Sequence, residues 1–317
     1  MATPSRIAAL GHYQPARVLT NEELTRMVDT SDEWIRSRVG IEQRRIAAPE
    51  ERVADLAAAA AAKALAASGL DAADIGMVVV STTTAENACP NTAALVARKL
   101  GLPGPAALDV NTACSGFPHA LAVADHAIRA GAARHALVIG AEKLSAVTDW
   151  SDRSTCVLLG DGAGAVVLSA GEEGAPDGIG PVMWGSVPEM SDAVVIDGEP
   201  ARFSQQGQAV FRWAVTELPR IAREVCARSG ITPEELDVFV PHQANLRIVE
   251  PVARALGLTE RQVVARDVVE SGNTSAASIP LALSKLVEAG RVPEGGRALL
   301  LGFGGGMTWA GTVVRLP

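Results

Sequence analysis

Short apolar runs alternate with stretches of helical periodicity along the whole chain. Met77–Val80, Ala136–Ile139, Gly164–Leu168, Val238–Val240 and Ala298–Leu301 read as buried strands. Val53–Ala67, Ala93–Leu100, Gly116–Ala130, Ala209–Ala227 and Ala276–Glu288 carry the helical spacing. Strands alternating with helices predict a layered α/β fold. The most apolar stretch, Leu56–Ala67, is Ala-rich, is interrupted by Lys63 and falls short of the roughly 20 residues of a bilayer span. It reads as a tightly packed helix.

The pattern also repeats. Gly69–Val79 parallels Gly230–Val240, and each is followed by a helix ending in Leu-Gly-Leu, at Leu100–Leu102 and Leu256–Leu258. Each half then has a helix ending in Ala-Gly, at Gly131 and Gly290, and a strand ending in Gly, at Gly140 and Gly302. The Gly-rich polar segment 171–180 is the natural join, giving halves 1–171 and 172–317. Cys114 lies 17 residues before Gly131 and Asn273 lies 17 before Gly290 (131 − 114; 290 − 273). That spacing predicts that Cys114 and Asn273 are equivalent, each at a helix start. A pseudo-twofold axis would then bring both helix starts into one central site. Chance similarity of two amphipathic segments is the alternative.

Composition narrows the classes. The 317 residues are 48% hydrophobic and 20% charged, enough for a large core. The formal net charge of −8 argues against a nucleic-acid partner and against attachment to an anionic membrane by bulk charge. The first 18 residues lack the apolar core of a signal peptide. Cys89, Cys114, Cys156 and Cys226 form no CxxC pair, which fits reduced thiols in a cytoplasm and offers no zinc site.

Four segments carry candidate chemistry. In Leu108–Phe117 an apolar strand leads through small residues into a helix, with Cys114 at the turn. Backbone N–H groups and the helix dipole there stabilise a thiolate and lower its pKa. A buried structural cysteine is the bland alternative, and Cys156 and Cys226 read that way. His242 directly follows the strand Val238–Val240, whereas His12, His126 and His135 read as peripheral. His119, about 140° around the helix from Cys114, should point elsewhere. Asn273 reads either as a helix N-cap or as a site residue. Gly302–Trp309 follows a buried strand with glycines whose N–H groups suit an oxyanion hole, a tight turn being the alternative.

Together these segments resemble the type III β-ketoacyl-acyl carrier protein synthases, within the thiolase-like condensing enzymes. The resemblance covers nearly the whole chain. It runs from Thr30–Ile41 through the Cys114 segment and Gly160–Ala165 to Pro241–Ile248, Gly272–Ser278 and Phe303–Trp309. No cysteine follows Cys226, where a degradative thiolase needs one, and no histidine follows His242, where elongating synthases need a second. The set Cys114, His242 and Asn273 resembles initiating synthases and also plant-type polyketide synthases.

The resemblance implies two βαβαβαββ halves about a pseudo-twofold axis and a homodimer. It implies a ping-pong reaction in which Cys114 takes an acyl group from acyl-CoA and passes it to malonyl-acyl carrier protein, with no metal or redox cofactor. His242 and Asn273 would stabilise the enolate, and the N–H groups of Cys114 and Gly305 the oxyanion. Trp34, Arg38, Arg153, Asn245 and Gly207 would hold coenzyme A. Arg212, Arg247 and Arg254 would attract the acidic carrier protein. Cys89 would shape the acyl pocket across the dimer interface, and its small side chain implies a branched or longer primer. The match loosens at Gln205-Gln206, Met307 and Ala310. An acyltransferase to oxygen or nitrogen and a silent partner subunit are the rival readings.

Overall fold

Met77–Ser81 shows no polar alternation because it becomes an interior strand, paired on both sides. The computed structural model describes residues 4–172, 174 and 177–317. Its first half runs β1 (Ser5–Tyr13), β2 (Arg17–Thr20), α1 (Asn21–Leu24), α2 (Asp32–Val39), β3 (Gln43–Ile46), α3 (Val53–Ser68), β4 (Met77–Ser81), α4 (Thr92–Lys99), β5 (Ala106–Val110), α5 (Gly116–Arg129), β6 (His135–Lys143), α6 (Arg153–Cys156) and β7 (Asp161–Ala170). The second runs β8 (Met183–Ser186), β9 (Val194–Asp197), β10 (Arg202–Gln205), α7 (Gly207–Arg228), β11 (Val238–Pro241), α8 (Leu246–Ala255), β12 (Val263–Val264), α9 (Val268–Ser271), α10 (Ser278–Glu288), β13 (Arg297–Gly304) and β14 (Thr308–Arg315). The Gly-rich join at 171–180 includes residues 173, 175 and 176, which lie outside the described residues.

Two five-stranded sheets share one topology. Their orders are β1-β7-β6-β4-β5 and β8-β14-β13-β11-β12. In each, the last three strands are parallel and the first two antiparallel. Without the small hairpins, both halves read βαβαβαββ, as expected.

The central layer is α5 and α10. Phe117, Leu121 and Ile128 of α5 meet Ile279 and Leu283 of α10 between Val138 and Val166 of one sheet and Val240 and Leu300 of the other. Each such side chain, fully buried, contributes about 1.5–3 kcal/mol. On the outside, α3 lies close to β1 through Ala57, Ala60, Ala61 and Ala64, while Lys63 points to solvent. A Cβ at Gly11 would come within 2.4 Å of Ala60 O. The Ala-rich run therefore encodes close helix–sheet packing.

The repeat register differs from the spacing argument. The backbone turns left-handed at Ala113 (φ 47°) and at Ser275 (φ 46°), each opening a 3-10 turn before its central helix. Asn111 Oδ1 accepts the Ala113 N–H at 3.3 Å, and Asn273 Oδ1 accepts the Ser275 N–H at 2.8 Å. Asn273 is thus the counterpart of Asn111, and Cys114 of Ala276. Counting back from Gly131 and Gly290 misaligned them because α5 has 14 residues and α10 only 11.

Candidate active site

Cys114 sits in the 3-10 turn Ala113–Ser115, just ahead of α5. It is 9% exposed. Gly304, at the end of β13, backs it: a Cβ there would lie 2.6 Å from the Cys114 Cβ and 3.0 Å from its Sγ. Only glycine allows that approach. The backbone N–H groups of Gly305 and of Cys114 itself lie near enough to the thiol to favour its ionised form. The expected fall in thiol pKa is not found. Burial pushes it up to about 11, the nearby Glu142 charge adds to that, and the Ser275 hydroxyl and the two N–H groups oppose it. The helix begins two residues later, and desolvation outweighs its field.

β11 delivers His242. Its N–H donates to Leu301 O at 2.8 Å, and its ring meets Phe303 edge-on at 5.2 Å. Nδ1 lies 2.8 Å from Ser278 Oγ, which also accepts the Gln243 N–H at 3.3 Å. Ser278 Oγ keeps a hydrogen to give to Nδ1, and with that bond made the ring proton sits on Nε2. Burial drives the His242 pKa down to about 3, so the ring is neutral. Asn273 is pinned by its N–H to Leu158 O at 2.7 Å and by Gly160 N–H to its carbonyl at 3.0 Å. With Oδ1 taken by Ser275, its Nδ2 group is the free donor.

Two spaces meet at Cys114. One is a chamber of about 400 Å³ walled by Thr83, Leu144, Leu159, Val194, Ile196 and Phe203. The other is a throat of about 70 Å³ lined by Cys114, His242, Asn273 and Phe303. The throat continues past Gln205, Gly207, Phe211 and Asn245 into a surface groove of about 460 Å³ that holds Arg38, Arg212 and Arg247. A chain can thus run from the groove to the thiol, with room beyond it.

The remaining predicted residues fall in three places. Arg38, Gly207, Arg212, Asn245 and Arg247 line the groove. Asn245 caps α8, and its Oδ1 is buried with no partner. Arg247 lies over the Phe211 ring at 5.3 Å, and exposed Arg254 is two turns further along α8. Trp34 and Arg153 contact each other, 4.9 Å from guanidinium carbon to ring centroid, and Arg153 also donates to Asp29 O. Among the described residues none of these arginines forms an ion pair. Cys89 is exposed and lines neither chamber nor throat of its own chain.

His119 bonds Thr112 and Ser115 and stacks on Trp184, away from the site. Cys156 and Cys226 are buried, with thiol pKa values pushed up to about 11 by burial. Among the described residues, no three His, Cys, Asp or Glu side chains converge as a metal site, and no helix is long and apolar enough to cross a membrane. Sequence reasoning missed the chamber wall. Its only signal was the short apolar run Val194–Ile196, which pairs with Arg202–Gln205 in a two-stranded hairpin. It also missed Glu142, a lone acid closing the apolar run of β6.

Comparison with known proteins agrees with this arrangement. The family model described as 3-oxoacyl-(acyl-carrier-protein (ACP)) synthase III matches residues 108–187, and its C-terminal counterpart matches residues 226–316. The chain is 66% identical over 313 residues to beta-ketoacyl-(acyl-carrier-protein) synthase III 2 of Streptomyces avermitilis, covering 99% of each. Among solved structures it resembles the priming β-ketosynthase of a polyketide biosynthetic pathway (TM-score 0.96, 40% identity, 100% of this chain and 97% of that one). It also resembles 3-oxoacyl-(acyl carrier protein) synthase III of Pseudomonas aeruginosa (TM-score 0.94, 41% identity, 99% and 98%). The chain belongs to the 3-oxoacyl-(acyl-carrier-protein) synthase III family of thiolase-fold condensing acyltransferases.

Proposed function

We propose that this enzyme starts a fatty acid or polyketide chain by decarboxylative Claisen condensation of an acyl-CoA primer with malonyl-acyl carrier protein. The observation that carries this reading is the shared throat. Cys114, His242 and Asn273 face one narrow space between an arginine-lined groove and an apolar-walled chamber.

The groove, throat and chamber support the following steps. Acyl-CoA enters by the groove, with Arg38 at its phosphates and its pantetheine arm along Gly207 and Asn245. The orphaned Asn245 Oδ1 suits an amide N–H. Trp34 and Arg153 part to take the adenine between them, since two stacked planes need more than their present separation. Cys114 Sγ attacks the thioester carbonyl, and the N–H groups of Cys114 and Gly305 hold the oxyanion. The CoA thiolate leaves and the acyl group lies in the chamber. Malonyl-acyl carrier protein then docks on Arg212, Arg247 and Arg254. His242 Nε2–H and Asn273 Nδ2–H donate to its thioester oxygen as CO2 departs. The enolate carbon attacks the acyl-Cys114 carbonyl and expels the thiolate. No step is assigned to a metal or redox cofactor.

A second copy completes the unit. The outer edge of β5 is unpaired among the described residues, and exposed edges are normally covered. We assign Cys89, exposed in segment 85–90, to the partner's chamber. A roomy chamber with a small residue at its border favours primers larger than acetyl.

Intact mass spectrometry after incubation with a panel of acyl-CoAs tests the reading. A single acyl adduct is expected, absent in Cys114→Ala. No adduct with any acyl-CoA contradicts the reading; an adduct with acetyl-CoA alone contradicts the primer assignment.

A further inference from the structure

Arg44, in β3, is fully buried and has no part in the scheme above. Burial lowers its pKa to about 10, so it stays charged at neutral pH. A buried cation ordinarily faces an acid. Among the described residues Arg44 forms no ion pair. Its guanidinium instead joins two separate segments. Nη2 donates to Val157 O at 2.6 Å, and Nη1 donates to Asn21 Oδ1 at 2.8 Å and to Leu19 O at 3.3 Å. Asn21 is held in turn, its Nδ2 donating to Ile41 O and to Asp32 Oδ1, each at 2.8 Å.

The Val157 end leads to the throat. One residue on, Leu158 O accepts the Asn273 N–H at 2.7 Å, and the Gly160 N–H donates to Asn273 O at 3.0 Å. Leu159 and Asn273 thus pair as a short parallel bridge between the two halves of the chain. The Arg44 stem packs against both sides of that bridge. A Cβ at Gly160 would lie 3.1 Å from the Arg44 Cβ and 2.2 Å from Ser271 O, and a Cβ at Gly272 would also lie 3.1 Å from the Arg44 Cβ. Just before β3, the Glu42 N–H donates to Val269 O at 2.7 Å and ties down α9, which leads into Asn273. Because Asn273 Oδ1 is tied to the Ser275 N–H, the aim of Nδ2 follows this backbone.

We propose that Arg44 is a positioning residue for decarboxylation, which fixes the aim of Asn273 Nδ2 by clamping Val157 to the Asn21 anchor. This rests on the reading of Asn273 as a donor to the forming enolate and adds what holds that donor in place. The guanidinium is a planar fork, so its two Nη atoms set the distance between their anchors. Sliding either anchor would leave a buried charge short of acceptors, which makes the clamp stiff. Stiffness matters because a donor stabilises a developing oxyanion only when it is already aimed. Cys114 is supported elsewhere, by the close approach of Gly304 at the end of β13. Its acylation therefore does not call on Arg44.

The test is a double-mutant cycle of Arg44→Gln and Asn273→Ala, read on the two half-reactions at saturating substrate. Cys114 acylation by acyl-CoA is followed by mass spectrometry, and decarboxylation by CO2 release from malonyl-acyl carrier protein. Arg44→Gln should acylate at a near-normal rate. Its kcat for CO2 release should fall by about 10²-fold, as for a group misplaced by an ångström, with KM for malonyl-acyl carrier protein little changed. In the Asn273→Ala background the same change should add almost nothing, because the donor it aims is gone. Arg44→Lys keeps the charge and the stem but lacks the fork. It should show the same pattern, and it carries the cycle if Arg44→Gln does not fold. Losses that multiply in the double variant, or equal falls in both half-reactions, would mean a general structural role and overturn the proposal. Normal CO2 release in the Arg44 variants would overturn it as well. Normal CO2 release by Asn273→Ala alone would instead sink the assignment of Asn273 in the proposed function, whatever the Arg44 variants do.

Discussion

The turns Asn111–Gly116 and Asn273–Ser278 have nearly the same backbone and opposite duties. Each opens with an asparagine whose Oδ1 accepts the N–H two residues on, and each then turns left-handed into a central helix. In the first the fourth residue is Cys114; in the second it is Ala276. In the first the opening asparagine is exposed; in the second it is buried in the throat with Nδ2 free. A duplicated fold thus supplies two similar turns, and the site takes a different step from each. Symmetry places the elements, and burial decides which residue does chemistry.

The largest expected effect breaks the first turn. Cys114→Ala should lower condensation by at least about 10³-fold, as loss of a nucleophile does. Adding Ala276→Cys should not restore it, because Gly304 and Gly305 pack against Cys114 and Ala113 of the first turn. An acyl adduct on residue 276 would show that the turns are interchangeable. Next come the asparagines. Asn273→Ala should cut condensation about 10²–10³-fold, the cost of one oxyanion-type donor, while Cys114 still acylates. Asn111→Ala removes one exposed hydrogen bond and should cost about 0.5–1.5 kcal/mol of stability, with turnover near normal. Equal kinetic losses would erase the distinction.

The pH behaviour is a subtler test. His242 is held neutral, its pKa falling by burial from 6.5 to about 3. Between those values the unfolded chain binds a proton that the folded chain does not. The stability contribution is therefore whole above pH 6.5 and is lost as pH falls toward 3. His242→Gln should flatten the acid limb of the melting temperature plotted against pH; an unchanged limb would mean that His242 already ionises in the folded state. The smallest effect on the chemistry comes from a change in packing alone. Ala60→Leu, in the α3 face against Gly11, should cost about 1–3 kcal/mol in chemical denaturation without altering Cys114 acylation.

Much of this was legible in the sequence. The continuous apolar runs of β4, β11 and β13 mark interior strands, and the Ala-rich α3 announces close packing. Cys114, His242 and Asn273 stand at strand ends and helix starts, where motifs are compact. What was not legible depends on geometry across the fold. The three-residue difference between α5 and α10 hid the true repeat register. The chamber wall comes from a short hairpin whose pattern shows no core face. The Cys114 pKa was misjudged because a helix start is visible in sequence and desolvation is not. Cys89, which we assign to another copy's chamber, has surroundings in its own chain that say little.

The central claim is that residues from both halves make one decarboxylating site. It is tested most directly by pre-acylating the enzyme, adding carboxyl-labelled malonyl-acyl carrier protein, and counting CO2 released per acyl group consumed, in the unsubstituted enzyme and in Asn273→Ala. The account predicts one CO2 for each acyl group consumed in the former, and an acylated enzyme that releases almost none in the latter. Full CO2 release by Asn273→Ala, or loss of the acyl group without CO2, would contradict it.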